Sequence, residues 1–264
     1  MSMNFSWINF VCMIGQKQRE EIQDNFVIGN DFTILGTGFL VFYKRPYLVT
    51  ARHLIQKEGH FINNICCIFD YFTKKKFEQK KEIIYIDNTQ WKFHRSDEWL
   101  YEQGNDYLID IAVTPVNVSE EMSKSAIHWG RNKFNISSIP FRDIMIGNEV
   151  RVLGYPLQFV SENDFTPTIR RGIVARIIEN TTIFKEKKFI KKSFLIDSFI
   201  EDGNSGSPII QLENFVHSKV FGSYTFDKEG LIGIATGHYD SIRVHSGLGI
   251  CKSSDYIKEI LLEF

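Results

Sequence analysis

Three short segments of this 264-residue chain carry side chains that could act together in nucleophilic chemistry. The run Thr50-Ala51-Arg52-His53 ends in a histidine, Asp110-Ile111-Ala112-Val113 begins with an aspartate, and Gly203-Asn204-Ser205-Gly206 sets a serine among glycines. A serine hydroxyl is a weak nucleophile at neutral pH and needs a base beside it. Histidine is the usual base, and an aspartate on its other ring nitrogen fixes its tautomer. The three segments therefore predict one Ser-His-Asp site.

In that site Ser205 is the expected nucleophile, His53 the base and Asp110 the orienting acid. Glycines around Ser205 allow backbone conformations that turn N–H groups toward the oxyanion formed during acyl transfer. The expected donors are the N–H groups of Gly203 and Ser205. Asp106 is the nearest rival to Asp110, but the residues after it fit the motif less well.

The elements that must position these residues are predicted to be short strands. Runs rich in β-branched and aromatic residues, bounded by Gly, Asn, Asp or Pro, are typical of strands, and many of them in one chain favour an all-β fold. Apolar residues at 257, 260 and 261 predict an amphipathic helix over 253–262, with Ser254 or Asp255 as its N-cap. The predicted strands are 39–43, 47–50, 83–86, 109–113, 149–153, 172–178, 194–197 and 231–235.

Composition excludes several classes of protein. A formal net charge of −1 argues against an electrostatic nucleic-acid binder. The N-terminus lacks the features of a signal peptide, and no apolar run reaches the roughly 18 residues of a membrane span. The cysteines are too few for a disulfide scaffold and lack metal-ligand spacing. We therefore expect a cytoplasmic protein with reduced thiols, no metal, no cofactor, and neither a nucleic-acid nor a membrane partner. The four cysteines are Cys12, Cys66, Cys67 and Cys251.

With its motifs in the order His, Asp, Ser, the chain resembles the trypsin-like (chymotrypsin-fold) serine proteases. It is most similar to the bacterial Deg/HtrA and glutamyl-endopeptidase groups, and the resemblance covers residues 33–262. Besides the three segments above, it is carried by Gly36-Thr37-Gly38, Gly154-Tyr155-Pro156, Arg171-Gly172-Ile173-Val174, Ser207-Pro208 and Ile232-Gly233-Ile234.

The resemblance implies two six-stranded antiparallel β-barrels with the active site between them and a C-terminal helix. Residues 1–32 would form an N-terminal extension and first strand. Residues 33–130 would form the N-terminal barrel, and residues 131–264 the C-terminal barrel with the closing helix. The implied activity is that of a serine endopeptidase, which cleaves a protein or peptide substrate through an acyl-enzyme.

The resemblance also implies a primary specificity pocket. With Phe199 or Ile200 at its floor, the pocket is expected to favour an apolar or small residue over Lys or Arg. Two features oppose this expectation: His238 could meet an acidic side chain, and Glu201 and Asp202 could attract a basic one. The expected pocket residues are Phe199, Ile200, Thr236, Gly237, His238 and Gly247.

Asn204 stands where digestive relatives have an aspartate that pairs with a newly cut N-terminus, so activation through an N-terminal ammonium is not expected. We expect narrow specificity and regulation by a separate protein or by the residues before the first barrel strand. Other hypotheses remain open: a protease-fold binding module or pseudoenzyme, or a protease inactive until a partner binds. An α/β-hydrolase or a subtilisin-type enzyme using Asp31 would need alternating strands and helices, which the pattern does not support.

Overall fold

Short strands dominate the structure, as the β-branched and aromatic runs predict. The structure is a computed structural model, and each run predicted as a strand lies in one, except that the run 83–86 extends one residue beyond a strand that ends at Tyr85. It describes residues 10–18, 31–72, 79–95, 108–120, 122, 138–160, 166–180, 182–184, 187–189, 191–212, 215–217, 224–226, 230–241 and 244–264.

The first half of the chain forms a seven-stranded antiparallel sheet. Strand β3 pairs with β9, with Thr50 opposite Ala112, so the end of β3 lies beside the start of β9. A one-turn 3-10 helix, Arg52–Leu54, follows β3. The seven strands of the sheet are β1 Val11–Lys17, β2 Phe32–Tyr43, β3 Arg45–Thr50, β6 Ile65–Phe72, β7 Gln79–Tyr85, β8 Lys92–Arg95 and β9 Leu108–Pro115. The short strands β4 Gln56–Lys57 and β5 His60–Phe61 pair with each other as a separate hairpin. The sheet order is β7-β6-β1-β2-β3-β9-β8.

The predicted closure of this half into a six-stranded barrel is wrong for the described residues. The sheet has seven strands, and no ladder joins its edge strands β7 and β8. These two strands are consecutive in the chain. Between them lies the 3-10 helix Asn88–Gln90, which is capped by the Asp87 carboxylate, and the two strands form opposite edges of the sheet. The predicted boundary between residues 130 and 131 lies outside the described residues.

The second half forms a closed six-stranded barrel, which confirms the prediction for this half. Its order is β10-β11-β14-β19-β18-β15, and each neighbouring pair is antiparallel. The six barrel strands are β10 Glu149–Gly154, β11 Thr168–Ile178, β14 Ser193–Asp197, β15 Pro208–Gln211, β18 Gly230–Ser241 and β19 Val244–Ser253. Two separate hairpins are formed by β12 Thr182–Phe184 with β13 Lys187–Phe189 and by β16 Phe215–His217 with β17 Tyr224–Phe226. Two further 3-10 helices are Phe141–Asp143 and Leu157–Phe159.

The predicted C-terminal helix is present as Ser254–Leu262. Its N-cap is Ser253, not Ser254 or Asp255, because the Ser253 hydroxyl accepts the hydrogen bond from the Asp255 N–H. Within the described ranges, no helix has the length and apolar character needed to cross a bilayer. The helix buries an apolar face made of Tyr256, Ile257, Ile260 and Leu261.

One apolar cluster runs through both halves of the chain. It includes Val11 and Phe39 from the sheet, Tyr155 after β10, and Ile257 from the helix. Burial of each such side chain contributes about 1.5–3 kcal/mol. This shared core holds β2 against the loops of the barrel. All four cysteines are free and buried.

Candidate active site

His53 and Asp110 form a closely paired unit at the end of the N-terminal sheet. The 3-10 helix after β3 carries His53, and the neighbouring strand β9 carries Asp110. The Asp110 carboxylate uses both oxygens: Oδ2 lies 2.8 Å from His53 Nδ1, and Oδ1 accepts the His53 backbone N–H at 3.0 Å. Oδ2 therefore orients the ring, while the bond from the backbone N–H to Oδ1 holds the carboxylate in place. This leaves Nε2 as the ring nitrogen able to exchange a proton with a substrate or nucleophile.

This pairing shifts the titration of both groups. Burial by itself lowers the pKa of His53, but the hydrogen bond to Asp110 and its negative charge outweigh that effect, so the pKa is raised above 6.5. Burial by itself raises the pKa of Asp110, and the contacts with His53 reverse this, so the pKa is below 3.8. The two shifts together stabilise an imidazolium beside a carboxylate.

Ser205 lies in a tight turn between two glycines with positive φ, Gly203 at 92° and Gly206 at 88°. Both glycines are required by their surroundings as well as by φ. A Cβ on Gly203 would lie 2.2 Å from the Tyr155 carbonyl oxygen, and one on Gly206 would lie 1.8 Å from the Thr37 carbonyl oxygen. The glycine-rich sequence therefore reflects a backbone packed closely against β2 and the end of β10.

The N–H groups of Gly203 and Ser205, the two expected oxyanion donors, are oriented by hydrogen bonds to the carbonyls of the residues before them. The Asp202 carbonyl accepts from Leu157 N–H at 3.0 Å, and the Asn204 carbonyl accepts from Ser207 N–H at 3.0 Å. In a trans peptide the N–H points opposite to the carbonyl, so the N–H groups of the next residues, 203 and 205, point away from those partners. In the described part of the chain, neither of these N–H groups donates to a backbone carbonyl outside regular elements.

The serine turn and the short helix that carries the histidine both approach Gly36 of strand β2. A Cβ on Gly36 would lie 2.4 Å from the Leu54 side chain and 2.8 Å from the Ser205 carbonyl oxygen, so both segments contact this glycine. Among the described residues, no hydrogen bond joins Ser205 Oγ to His53. Such contacts are often long in unliganded enzymes and shorten in the complex with substrate.

Several of the predicted pocket residues come together beside this turn. Ser198 N–H donates to the Gly247 carbonyl at 3.1 Å, which joins the segment before Ser205 to β19. His238 pairs with Gly249, and a Cβ on Gly249 would lie 2.4 Å from Ile200 Cγ1. A Cβ on Gly237, the neighbour of His238, would meet no atom within 4 Å.

Of the two residues predicted for the pocket floor, Ile200 is only 1% exposed, whereas Phe199 is 47% exposed. The Phe199 ring faces the Arg170 guanidinium, whose central carbon lies 5.3 Å from the ring centroid. Arg170 also donates to the Phe199 carbonyl at 2.9 Å and pairs with the Glu201 carboxylate. The charge of Glu201, which could have attracted a basic substrate residue, is therefore balanced within the protein.

Sequence reasoning missed Arg170, and it also missed a buried lysine near the acid. Lys252 on β19 is 6% exposed and donates to Ser193 Oγ at 2.9 Å. Burial lowers its pKa to about 8, against the opposing effects of Asp110 and Cys251. The only sequence signal was the alternation along β19, which does not distinguish an inward lysine from an outward one.

The remaining polar residues near the turn include Asn204 and Ser207. Both side chains are buried and, in the described residues, their amide and hydroxyl groups have no hydrogen-bond partner. Gly154, from the predicted Gly-Tyr-Pro turn, faces them: a Cβ there would lie 2.0 Å from Ser207 Oγ. The rival acid Asp106 lies outside the described residues.

Comparisons with known proteins identify the family and support the fold. The model of the trypsin-like peptidase domain family matches residues 36–216. The solved structure of the HtrA-type protease AlgW with a decapeptide is similar, at 14% identity and a TM-score of 0.53, over 97% of this chain and 64% of that chain. AlgW with a tripeptide gives 15% identity, a TM-score of 0.52, and coverage of 97% and 60%. At these identities the likeness shows the fold, and the chain spans less than two thirds of those chains.

Proposed function

The chain belongs to the trypsin-like peptidase domain family, and from this premise we propose that it is a serine endopeptidase acting through Ser205, His53 and Asp110. The observation that carries the proposal is the double contact between Asp110 and His53. A surface ion pair would need only one of these contacts. The contact with Nδ1 fixes the tautomer, and the contact with the backbone N–H holds the carboxylate against the ring, which is what a general base requires.

In the proposed reaction, Ser205 Oγ attacks the substrate carbonyl while its proton moves to His53 Nε2. The carbonyl oxygen becomes negatively charged, and the N–H groups of Gly203 and Ser205 donate to it. His53 then gives the proton to the leaving amine as the C–N bond breaks, which leaves an acyl-enzyme. Water then attacks the acyl carbon and gives a proton to His53. The bond between the acyl carbon and Ser205 Oγ breaks, Oγ takes the proton from His53, and the carboxylic acid product leaves. Throughout, Asp110 stays ionised, in keeping with its lowered pKa.

We propose an apolar or small residue before the cleaved bond. The apolar character of Ile200 and the pairing of Glu201 with Arg170 both support this preference. Thr236, Gly237 and His238 would form the wall along which the substrate backbone lies. The open space at Gly237 is consistent with a backbone lying there.

Narrow specificity, control by a separate regulatory protein and a cytoplasmic location are also part of the proposal. Four free, buried cysteines are compatible with a reducing compartment. The relative AlgW was solved with short peptides, which makes peptide ligands the natural first probes.

A second candidate function is a binding module that keeps the protease fold without turnover. It is favoured by one observation: in the described residues, Ser205 Oγ has no hydrogen bond to His53. A binding module would tolerate that separation, whereas an enzyme must close it when substrate binds.

A fluorophosphonate probe tests the two candidates directly, because it reacts with a serine only where a base and an oxyanion site activate the hydroxyl. We expect the wild-type protein to be labelled on Ser205, with Ser205→Ala and His53→Ala unlabelled. Ser193→Ala, which alters a buried serine elsewhere in the barrel, is the control and should still be labelled. A folded wild-type protein that resists labelling, alone and with peptides added, would reject the enzyme in favour of the binding module.

A further inference from the structure

Thr37 on β2 is fully buried and makes four hydrogen bonds around the serine turn. Its backbone N–H donates to the Ser205 carbonyl at 2.8 Å, and its hydroxyl donates to the Gly203 carbonyl at 2.7 Å. The same hydroxyl accepts from Tyr155 N–H at 3.0 Å. Its carbonyl accepts from the Thr50 hydroxyl at 2.7 Å. One residue of the N-terminal sheet thus contacts both residues that are expected to donate to the oxyanion.

These contacts complete the restraint of the two donor residues. Each donor residue lies between two peptide groups. The peptide before Gly203 is held by Leu157, and the peptide before Ser205 is held by Ser207. The peptide after each of the two residues is held by Thr37, whose hydroxyl donates to the Gly203 carbonyl and whose N–H donates to the Ser205 carbonyl. The φ and ψ angles of Gly203 and Ser205 are therefore fixed from both sides.

We propose that Thr37 is a positioning residue whose hydroxyl fixes the Gly203 peptide and thereby aims the oxyanion-binding N–H groups. This inference rests on the proposed serine-protease function. The hydroxyl donates a hydrogen bond to the Gly203 carbonyl and accepts one from the Tyr155 N–H. Only a residue with an Oγ at this position can do both. It touches no substrate atom and acts through the Gly203 carbonyl.

The valine variant isolates this role because valine has the shape of threonine without the hydroxyl. Thr37→Val leaves the Gly203 carbonyl and the Tyr155 N–H buried without their partner, and turning the Gly203 peptide is the simplest way to relieve both. The backbone bond from residue 37 to Ser205 remains. Serine keeps the hydroxyl, so Thr37→Ser should restore the wild-type position of Gly203.

The experiment measures the maximal labelling rate and the half-saturating concentration of a fluorophosphonate probe for each variant. Direct loss of one oxyanion donor lowers turnover about 10²–10³-fold. An indirect displacement should lower the maximal rate of Thr37→Val about 10–100-fold and leave the half-saturating concentration within threefold. Thr37→Ser should lie within threefold of wild type. The matched control is Thr114→Val, a buried threonine on β9 away from the turn, and should be unchanged.

Equal maximal rates for Thr37→Val and wild type would overturn the proposal, as would a loss that Thr37→Ser shares. If the valine variant does not fold, Thr37→Ala replaces it and is compared with Thr37→Ser, from which it differs by one oxygen atom. If wild type itself is not labelled, the proposed function fails separately. Thr37 is then judged by hydrogen exchange over residues 199–207, which should be faster in Thr37→Val than in Thr37→Ser; equal exchange would reject the positioning role.

Discussion

Replacing Asp110 with asparagine changes one atom in the contact that orients His53. In Asp110→Asn the amide oxygen can still accept from the His53 backbone N–H, as Oδ1 does at 3.0 Å. The amide nitrogen then takes the place of Oδ2, 2.8 Å from His53 Nδ1. Because an amide nitrogen donates, it favours the tautomer with its proton on Nε2, and that nitrogen can no longer accept the proton of Ser205.

The size of the loss follows from these two contacts. To act as a base, the His53 ring must carry its proton on Nδ1, so that Nδ1–H faces the N–H group of the new amide. Two donors that face each other leave both without an acceptor, which costs about 1–3 kcal/mol. The imidazolium also loses a hydrogen bond to a charged partner, which is worth about 1.5–3 kcal/mol. At 1.36 kcal/mol per factor of ten, the labelling rate should fall about 10²–10⁴-fold, with the upper end matching the effect known for such triads.

The assay compares fluorophosphonate labelling rates at pH 7.5 for wild type, Asp110→Asn and Asp87→Asn. Asp87 makes a matched control because its carboxylate also accepts a backbone N–H, from Thr89 at 2.9 Å, in an exposed turn. That variant should label at the wild-type rate. Thermal unfolding should show that all three proteins are folded. A loss of less than tenfold in a folded Asp110→Asn protein would refute the assignment of Asp110 as the orienting acid.

Three further predictions concern pH and packing. The labelling rate of wild type should rise with pH through a midpoint above 6.5, because His53 acts as a base only when deprotonated and Asp110 raises its pKa. The residual labelling of Asp110→Asn should have a lower midpoint. An unchanged midpoint would contradict the pairing of His53 with Asp110. The pKa of Lys252 is about 8 in the folded protein, against its ordinary value of 10.5. Between these two pH values the unfolded chain binds more protons than the folded protein. The free energy of unfolding should therefore rise by about 3 kcal/mol from pH 8 to pH 10.5. Urea unfolding of Lys252→Met should lack that rise, and an identical rise would show that another group causes it. Gly154→Ala should lower the free energy of unfolding by about 1–3 kcal/mol, because its Cβ would lie 2.0 Å from Ser207 Oγ. Gly237→Ala, whose Cβ would meet no atom within 4 Å, should change it by less than about 0.5 kcal/mol. Similar values for the two variants in urea unfolding would contradict the packing around Gly154.

The residues that lie in local motifs were predictable from the sequence, because their chemistry and their backbone demands are both local. His53 follows a strand, Asp110 lies near the start of one, and Ser205 has flanking glycines with positive φ. The C-terminal helix was predictable for the same reason, although its N-cap lies one residue earlier than expected, at Ser253.

The parts that depend on distant contacts were not predictable. Thr37 stood in a recognised Gly-Thr-Gly motif, but its role comes from residues more than 100 positions away. Arg170 gave no signal because its partner Glu201 lies on another segment. Closure of a sheet depends on which edge strands meet, and strand propensity does not encode that pairing, so a second closed barrel was predicted where the described residues form an open sheet.

The hydrogen bond from the Thr37 hydroxyl to the Gly203 carbonyl spans 166 positions of the chain. Contacts of such long sequence separation form late, after most of the loop-closure entropy has been lost. During synthesis on the ribosome, the N-terminal sheet with His53 and Asp110 emerges well before the segment that carries Ser205. Until the segment with Ser205 has been synthesised, the Thr37 hydroxyl and backbone N–H lack the Gly203 and Ser205 carbonyls as acceptors. The proposed site can therefore be assembled only after that segment has packed against β2.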